Sequence, residues 1–236
     1  MRTDGRQPDD LRPFTLERGF SPYAEGSCLI KMGGTHMHVT ATVEDRVPPF
    51  MKNSGKGWLT AEYAMLPRSG HQRNQRDNMR PNGRSMEIQR LIGRAMRSVA
   101  ELDGMGERTI SIDCDALLAD GGTRTAAITA AYVAVYDAMR WMVDKRMIKR
   151  VMLREPIAAI SVGVVKGIEV LDLNYAEDST AHTDMNVVMT ESGKFVEIQG
   201  TAEQEPFAAD TLGKMLKLAK KGIDELIIAQ KAALEI

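Results

Sequence analysis

The chain has 236 residues, with 31 lysines and arginines against 32 acids, four histidines and two cysteines. At 43% hydrophobic residues it can bury a core large enough to need no disulfide scaffold, and Cys28 and Cys114 belong to no Cys/His cluster of the kind a structural zinc site requires. The polar start Met1-Arg2-Thr3-Asp4-Gly5-Arg6 lacks the apolar stretch of a secretory signal, and no apolar run approaches the ~18–20 residues of a membrane span; a soluble, reduced, cytoplasmic protein is expected, with no membrane partner.

From Ser27 the pattern alternates. Leu29, Met37, Val39, Ala41 and Val43 are the apolar positions of two strands, and Gly33-Gly34 is the turn between them. His36, His38, Thr40 and Thr42 share the opposite face by the two-residue period; with no third ligand nearby, this pattern favours a half-exposed polar strand face over a metal pair. After Pro48-Pro49, the run Trp58 to Met65 predicts a third strand. Arg68 to Gly83 has almost no apolar residues and contains Gly70, Asn74, Asn78 and Pro81. It reads as a long mobile arm, too polar to fold back on its own subunit. Ser85 then caps a helix running to about Leu102, with Ile88, Leu91, Ile92, Ala95, Met96 and Val99 as its apolar stripe.

Thr109 to Leu118 predicts a strand, with Ile110, Ile112 and Cys114 on one side and Ser111, Asp113 and Asp115 on the other. Asp120-Gly-Gly-Thr-Arg-Thr125 follows, and then Ala126 to Val143, apolar nearly all round and therefore a buried central helix. Strands at Ala158–Lys166, Ile168–Leu173, Asp184–Thr190 and Lys194–Gln199 precede an amphipathic helix from about Ala208. Both halves run strands and then helix, mostly through hairpins, which favours an α+β fold over a doubly wound parallel sheet. The expectation is one domain over residues 1–236, built from two similar halves.

The charge is unevenly spread. Eight arginines lie between Arg68 and Arg97, namely Arg68, Arg73, Arg76, Arg80, Arg84, Arg90, Arg94 and Arg97, against only Asp77 and Glu87. That window carries +6, which leaves −7 for the rest of a chain whose total is −1. A local basic region on an acidic body favours a polyanionic partner, and the exclusive use of arginine suits bidentate contacts with phosphate. A solvated helix face beside a mobile loop is the alternative.

Two further features bear on chemistry. In Gly121-Gly122-Thr123-Arg124 the glycines let backbone N–H groups approach an anion at a helix start, Thr123 adds a hydroxyl and Arg124 a planar fork. The Lys-Ser/Thr ending of a Walker A loop is absent. Unaided, the same residues fit an ordinary glycine turn with a threonine cap equally well. Acids also crowd the end of one strand and the start of the next, from Asp172 through Glu177 and Asp178 to Asp184. Asp178 and Asp184 are placed to share a hard cation such as Mg²⁺, or to form a solvated acidic turn; His182 is a surface residue and Lys194 is ambiguous. An anion cradle, a carboxylate pair and an arginine-rich arm together describe phosphoryl transfer on a nucleic acid.

The stretches Arg2-Thr-Asp-Gly-Arg-Gln7, Val43-Glu-Asp-Arg-Val-Pro-Pro-Phe50, Gly55-Lys-Gly-Trp58, Ala61-Glu-Tyr63, Met65-Leu-Pro-Arg68, Glu87-Ile-Gln-Arg-Leu-Ile-Gly-Arg94, Asp120-Gly-Gly-Thr-Arg124, Leu173-Asn-Tyr-Ala-Glu-Asp178 and Asp184-Met-Asn186 resemble the ribonuclease PH family. The resemblance covers essentially the whole chain. It implies a duplicated β-α unit related to the second domain of ribosomal protein S5, assembled as a homo-hexamer (a trimer of dimers). It also implies a phosphorolytic 3′→5′ exoribonuclease, a nucleotidyltransferase that trims tRNA precursors and other RNA 3′ ends with inorganic phosphate as co-substrate. Carried over residue by residue, the phosphate site falls on Arg84, Gly122, Thr123 and Arg124. The catalytic, Mg²⁺-binding aspartates fall on Asp178 and Asp184, and the RNA-contacting arginines on Arg68, Arg73 and Arg76. Ser85 stands where the family more often has threonine, which keeps a hydroxyl. A non-catalytic RNA-binding subunit of an exosome-like ring is the rival, and survival of all the phosphate and aspartate positions counts against it. The roles of Arg76, Arg80, Arg90 and Lys194 stay open.

Overall fold

In the computed structural model, residues 2, 4–75 and 82–236 are described. The first half forms a five-stranded sheet: β1 (Phe14–Arg18), β2 (Gly26–Met32), β3 (Thr35–Glu44), β4 (Trp58–Met65), then helix α1 (Gly83–Val99), and β5 (Thr109–Leu118). Its strand order is β1-β2-β3-β5-β4, antiparallel throughout except where β4 runs parallel to β5. The alternation in β5 acts as expected: Ile110, Ile112 and Cys114 are buried, while Ser111, Asp113 and Asp115 are half-exposed on the other face. β1, short and charged at its end, is an edge strand that the pattern of alternation did not reveal.

Helix α2 (Thr123–Asp144) follows β5 and is buried on nearly every side. It packs against β2, β3 and β5 and also against β6 (Ile157–Val165), so it lies between the two sheets. This explains its all-round apolar sequence. The second sheet continues with β7 (Ile168–Leu171), the short helix α3 (Tyr175–Asp178), β8 (Thr183–Thr190) and β9 (Phe195–Ala202), in the order β7-β6-β8-β9. Helix α4 (Ala209–Leu234) covers β6 and β7. The main core draws most of its residues from the first sheet, α1 and α2, and takes in Ile157, Ala159, Val188 and Leu234 from the second half. The fold is α+β.

The structure corrects three expectations. The cap of α1 is Asn82, whose side chain accepts from the Ser85 N–H, so Ser85 lies inside the helix, and the helix ends at Val99 rather than near Leu102. The described first part of the arm, residues 68–75, does fold back on its own subunit, and residues 76–81 lie outside the described residues. Ser69 is buried, the Ala119 N–H donates to the Ser69 carbonyl, the Asn74 N–H donates to the Pro67 carbonyl, and the Asn74 side chain donates to Leu66 O and Ser69 Oγ. A polar segment is thus ordered by satisfied hydrogen bonds instead of apolar burial. The third correction divides the arginine cluster. Arg94 forms a two-pronged ion pair with Glu197 at 2.7 Å, and Arg97 stacks 4.6 Å over the Trp58 ring while donating to Leu59 O. Both are structural.

Cys28 and Cys114 are free and buried; burial, with the nearby charges of Asp137 and Glu17, pushes the Cys28 thiol up to about 12. Among the described residues no helix is long and apolar enough to cross a membrane.

Candidate active site

A cleft of about 550 Å³ opens where the two sheets meet the N-terminus of α2. Arg84, Gly122, Thr123 and Arg124 line it together with Asp178 and Asp184, so all six residues expected at the phosphate and aspartate sites converge there.

The wall expected to hold phosphate is made by the β5–α2 connection. Gly121 and Gly122 both take positive φ, +74° and +64°, and Gly122 is the cap residue of α2. A Cβ on Gly121 would lie 2.6 Å from the Leu173 carbonyl oxygen, so only glycine fits against the second half. Among the described residues no side chain caps α2, and no acid stands in its first turn. Its leading N–H groups and positive dipole end are left facing the cleft. The Thr123 hydroxyl accepts from the Tyr63 hydroxyl at 2.8 Å, which leaves its own proton to donate. The loop is braced from behind: the Thr35 hydroxyl donates to Gly121 O at 2.6 Å and accepts from the Asp120 N–H at 2.9 Å. The Arg12 guanidinium donates to the Asp120 carbonyl. Arg84, in the first turn of α1, is exposed and donates no hydrogen bond among the described residues.

The acidic side comes from the second half. Asp178 closes the one-turn helix α3, which is fixed by a capping box: the Asn174 side chain accepts from the Glu177 N–H, and the Glu177 carboxylate accepts from the Asn174 N–H. Glu177 also receives Nε and Nη2 of Arg2 at 2.8 and 2.7 Å. Asp184 and Asn186 lie two apart on β8 and so share a face. Ser161 of β6 and Gln199 of β9 stand opposite Asn186 in the register. The Asp178 carboxyl is pushed above the usual aspartate range, first by desolvation and then by the negative charge of Asp184, while Arg84 and Arg124 pull it down.

Asp178 and Asp184 line one cleft and, among the described residues, accept no hydrogen bond from a cationic side chain, so together they form a hard oxygen donor set, which fits Mg²⁺. Among the described residues no group of three or more His, Cys, Asp or Glu is placed to hold a metal.

The arginines expected to contact RNA are placed differently. Arg68 and Arg73 are exposed and do not line the cleft, although their neighbours Gly70, His71, Gln72 and Asn74 do. Arg76 and Arg80 lie outside the described residues. Lys194 is exposed at the β8–β9 turn, at the end of the hairpin opposite Asp184. Sequence reasoning missed Tyr175, Ser161, Asn186 and His71 in the cleft wall. The two-residue period that links Asp184 to Asn186 would have pointed to one of them.

Comparison with known proteins places the chain in a family. The model for domain 1 of the 3′ exoribonuclease family matches residues 10–140, and that for domain 2 matches residues 155–222. Ribonuclease PH of Methylobacterium radiotolerans is 54% identical over 236 residues, covering 99% of this chain and 100% of that one. Among solved structures, the Archaeoglobus fulgidus exosome with RNA bound to the active site superimposes with a TM-score of 0.82 at 19% identity, over 95% of this chain and 91% of that one. An archaeal exosome core gives 0.78 at 19% identity, over 98% and 91%. At such low identity these two show the fold. The full-length match and the two family models settle the kinship: the chain belongs to the ribonuclease PH (3′ exoribonuclease) family.

Proposed function

We propose that this cleft is where the family's phosphorolytic 3′→5′ exoribonuclease activity takes place, with the residues divided as follows. Inorganic phosphate is held by Arg84, the Thr123 hydroxyl, Arg124 and the free N–H groups that follow Gly122. One of its oxygens attacks the phosphorus of the last phosphodiester. The bond from that phosphorus to the 3′ oxygen of the penultimate nucleotide breaks. The last nucleotide leaves as a nucleoside 5′-diphosphate, and the shortened chain keeps a 3′-hydroxyl, its proton coming from the attacking hydrogen phosphate, with the Asp184 carboxylate placed to help pass it on. Asp178 and Asp184 would hold Mg²⁺, which when bound offsets charge on the phosphoryl group in transfer. Arg68, Arg73 and Arg76 contact the RNA backbone away from the reacting phosphorus.

One observation carries this reading: an uncapped, glycine-built helix start with two arginines shares a single cleft with a carboxylate pair. A hydrolytic nuclease has no need of the first half of that arrangement. The substrates we propose are tRNA precursors and other RNA 3′ ends, in the cytoplasm, where buried free thiols such as Cys28 and Cys114 stay reduced. We further propose a single domain of two similar halves, since the main core includes residues of both, and a homo-hexamer. Light scattering should then give roughly six times the 26.1 kDa chain mass; a monomer with full activity contradicts it.

The test is a 3′-extended tRNA incubated with phosphate and Mg²⁺ omitted in turn. Shortening should need both, and Asp184→Asn should bind RNA but turn over poorly, because it deletes charge with little change in volume. Nucleoside monophosphates released in phosphate-free buffer would overturn the assignment.

A further inference from the structure

Arg124 does not stand alone at the mouth of the cleft. Its Nη1 donates to Gln199 Oε1 at 2.7 Å and to Glu87 Oε1 at 3.1 Å, and the Gln199 amide donates through Nε2 to the same Glu87 oxygen at 2.7 Å. Three elements from both halves, α1, α2 and β9, thus meet in a closed triangle of hydrogen bonds.

A guanidinium is planar, with five N–H groups in a fixed fork. The two protons of Nη1 are both used by the triangle. Among the described residues Nε and Nη2 donate to nothing, and this is the edge that matches two oxygens of a phosphate. Fixing one corner of a rigid plane from two directions sets where the opposite edge points. Gln199 is well placed for this by register, since it stands opposite Asn186 on β8, and Asn186 and Asp184 line the cleft. Chemistry also favours a glutamine. Its neutral oxygen makes the shorter contact with Arg124, and its amide engages Glu87, so Arg124 is oriented mainly by a group that adds no negative charge beside an anion site.

We infer that Gln199 is a positioning residue for phosphate: anchored on Glu87, it turns the Nε–Nη2 edge of Arg124 toward the bound phosphate. The inference rests on the assignment of Arg124 to phosphate in the proposed function.

The experiment is a double-mutant cycle on the full chain, with phosphate titrated at saturating RNA. Gln199→Met keeps the length of the side chain and removes the acceptor; Gln199→Ala is the second variant, with the thermal midpoint of each checked against the parent. The apparent KM for phosphate should rise roughly tenfold, the size of one lost hydrogen bond to a charged group, while kcat at saturating phosphate falls far less and RNA affinity holds. In an Arg124→Ala background the same change should add almost nothing, because a positioning residue has nothing left to position. A folded Gln199→Met or Gln199→Ala with unaltered phosphate KM overturns the inference, as does a full further loss in the Arg124→Ala background. If Arg124→Ala alone leaves phosphate saturation unaltered, the phosphate assignment itself is what fails.

Discussion

The Arg12 guanidinium clasps the Asp172 carboxylate from two sides, Nε to Oδ2 at 2.9 Å and Nη2 to Oδ1 at 2.6 Å, and the Arg12 N–H adds a third bond to Oδ2 at 2.8 Å. Both side chains are buried, at 3% and 1% exposure. Arg12 also donates to the Asp120 carbonyl, so this pair ties the glycine loop of the first half to the end of β7 in the second. Asp172 itself sits at φ +54°, a conformation that asparagine tolerates as well as aspartate does.

Asp172→Asn should therefore keep the backbone while leaving a buried guanidinium without its counter-charge. The expected loss is about 3–5 kcal/mol, read from the midpoint of chemical denaturation. A loss below about 1 kcal/mol would mean that water or a neighbour replaces the carboxylate, and the pair would not be what joins the halves.

Gly121→Ala tests the loop. A left-handed φ costs a non-glycine residue about 1–2 kcal/mol, and the added Cβ would press on the Leu173 carbonyl oxygen at 2.6 Å. The loop must shift away from α3, so phosphate saturation should weaken sharply while RNA affinity is kept. Parental kinetics with an alanine here would show that the close approach to Leu173 is not needed.

The arginines should separate in paired titrations. Arg124→Ala is expected to weaken phosphate saturation with RNA affinity nearly intact. Arg73→Ala, on the exposed rim, should weaken RNA binding and lower the slope of log affinity against log salt by about 0.7–0.9 for each phosphate contact removed. Equal losses in both titrations for both variants would erase the division of labour.

Acid should loosen the support of Asp178. Burial pushes the Glu177 carboxyl up, but the hydrogen bonds from Arg2 and the Asn174 N–H, with the charges of Arg2 and Arg6, outweigh it and hold the carboxyl below its ordinary value of 4.5. A lowered pKa contributes stability that is present above the unfolded value and is lost as pH falls through the folded one. Denaturation midpoints should thus drop below pH 4.5, and Glu177→Gln, less stable at neutral pH, should show a shallower drop. Parallel pH profiles for the two proteins would contradict this.

The regular elements were legible because their signals are local. The stripe from Ile88 to Val99 and the alternation from Ile110 to Cys114 fix both the type of element and its buried face, and the structure buries those residues. Boundaries were less so: Asn82 and Ser85 are both capable caps, and only the chain path selects Asn82. In the cleft, Gly122, Thr123, Arg124, Asp178 and Asp184 were recognisable as residue types at a loop and a strand end. What places them together is not local. Arg12 and Asp172 are 160 residues apart, Tyr63 and Thr123 are 60 apart, and the row Ser161, Asn186, Gln199 exists only once β6, β8 and β9 are in register. The structural use of Arg94 and Arg97 was hidden for the same reason, since Glu197 and Trp58, which occupy them, are remote in sequence.

The central claim is that a phosphate bound at Arg84, Thr123 and Arg124 is itself the attacking group. Isotopically labelled inorganic phosphate, supplied with unlabelled 3′-extended RNA and Mg²⁺, tests it most directly through mass analysis of the released nucleotide. The account predicts nucleoside 5′-diphosphates carrying the label solely in the terminal (β) phosphate, with incorporation reduced in step with turnover in Arg124→Ala. Release of unlabelled nucleoside monophosphates, at a rate indifferent to phosphate, would contradict it.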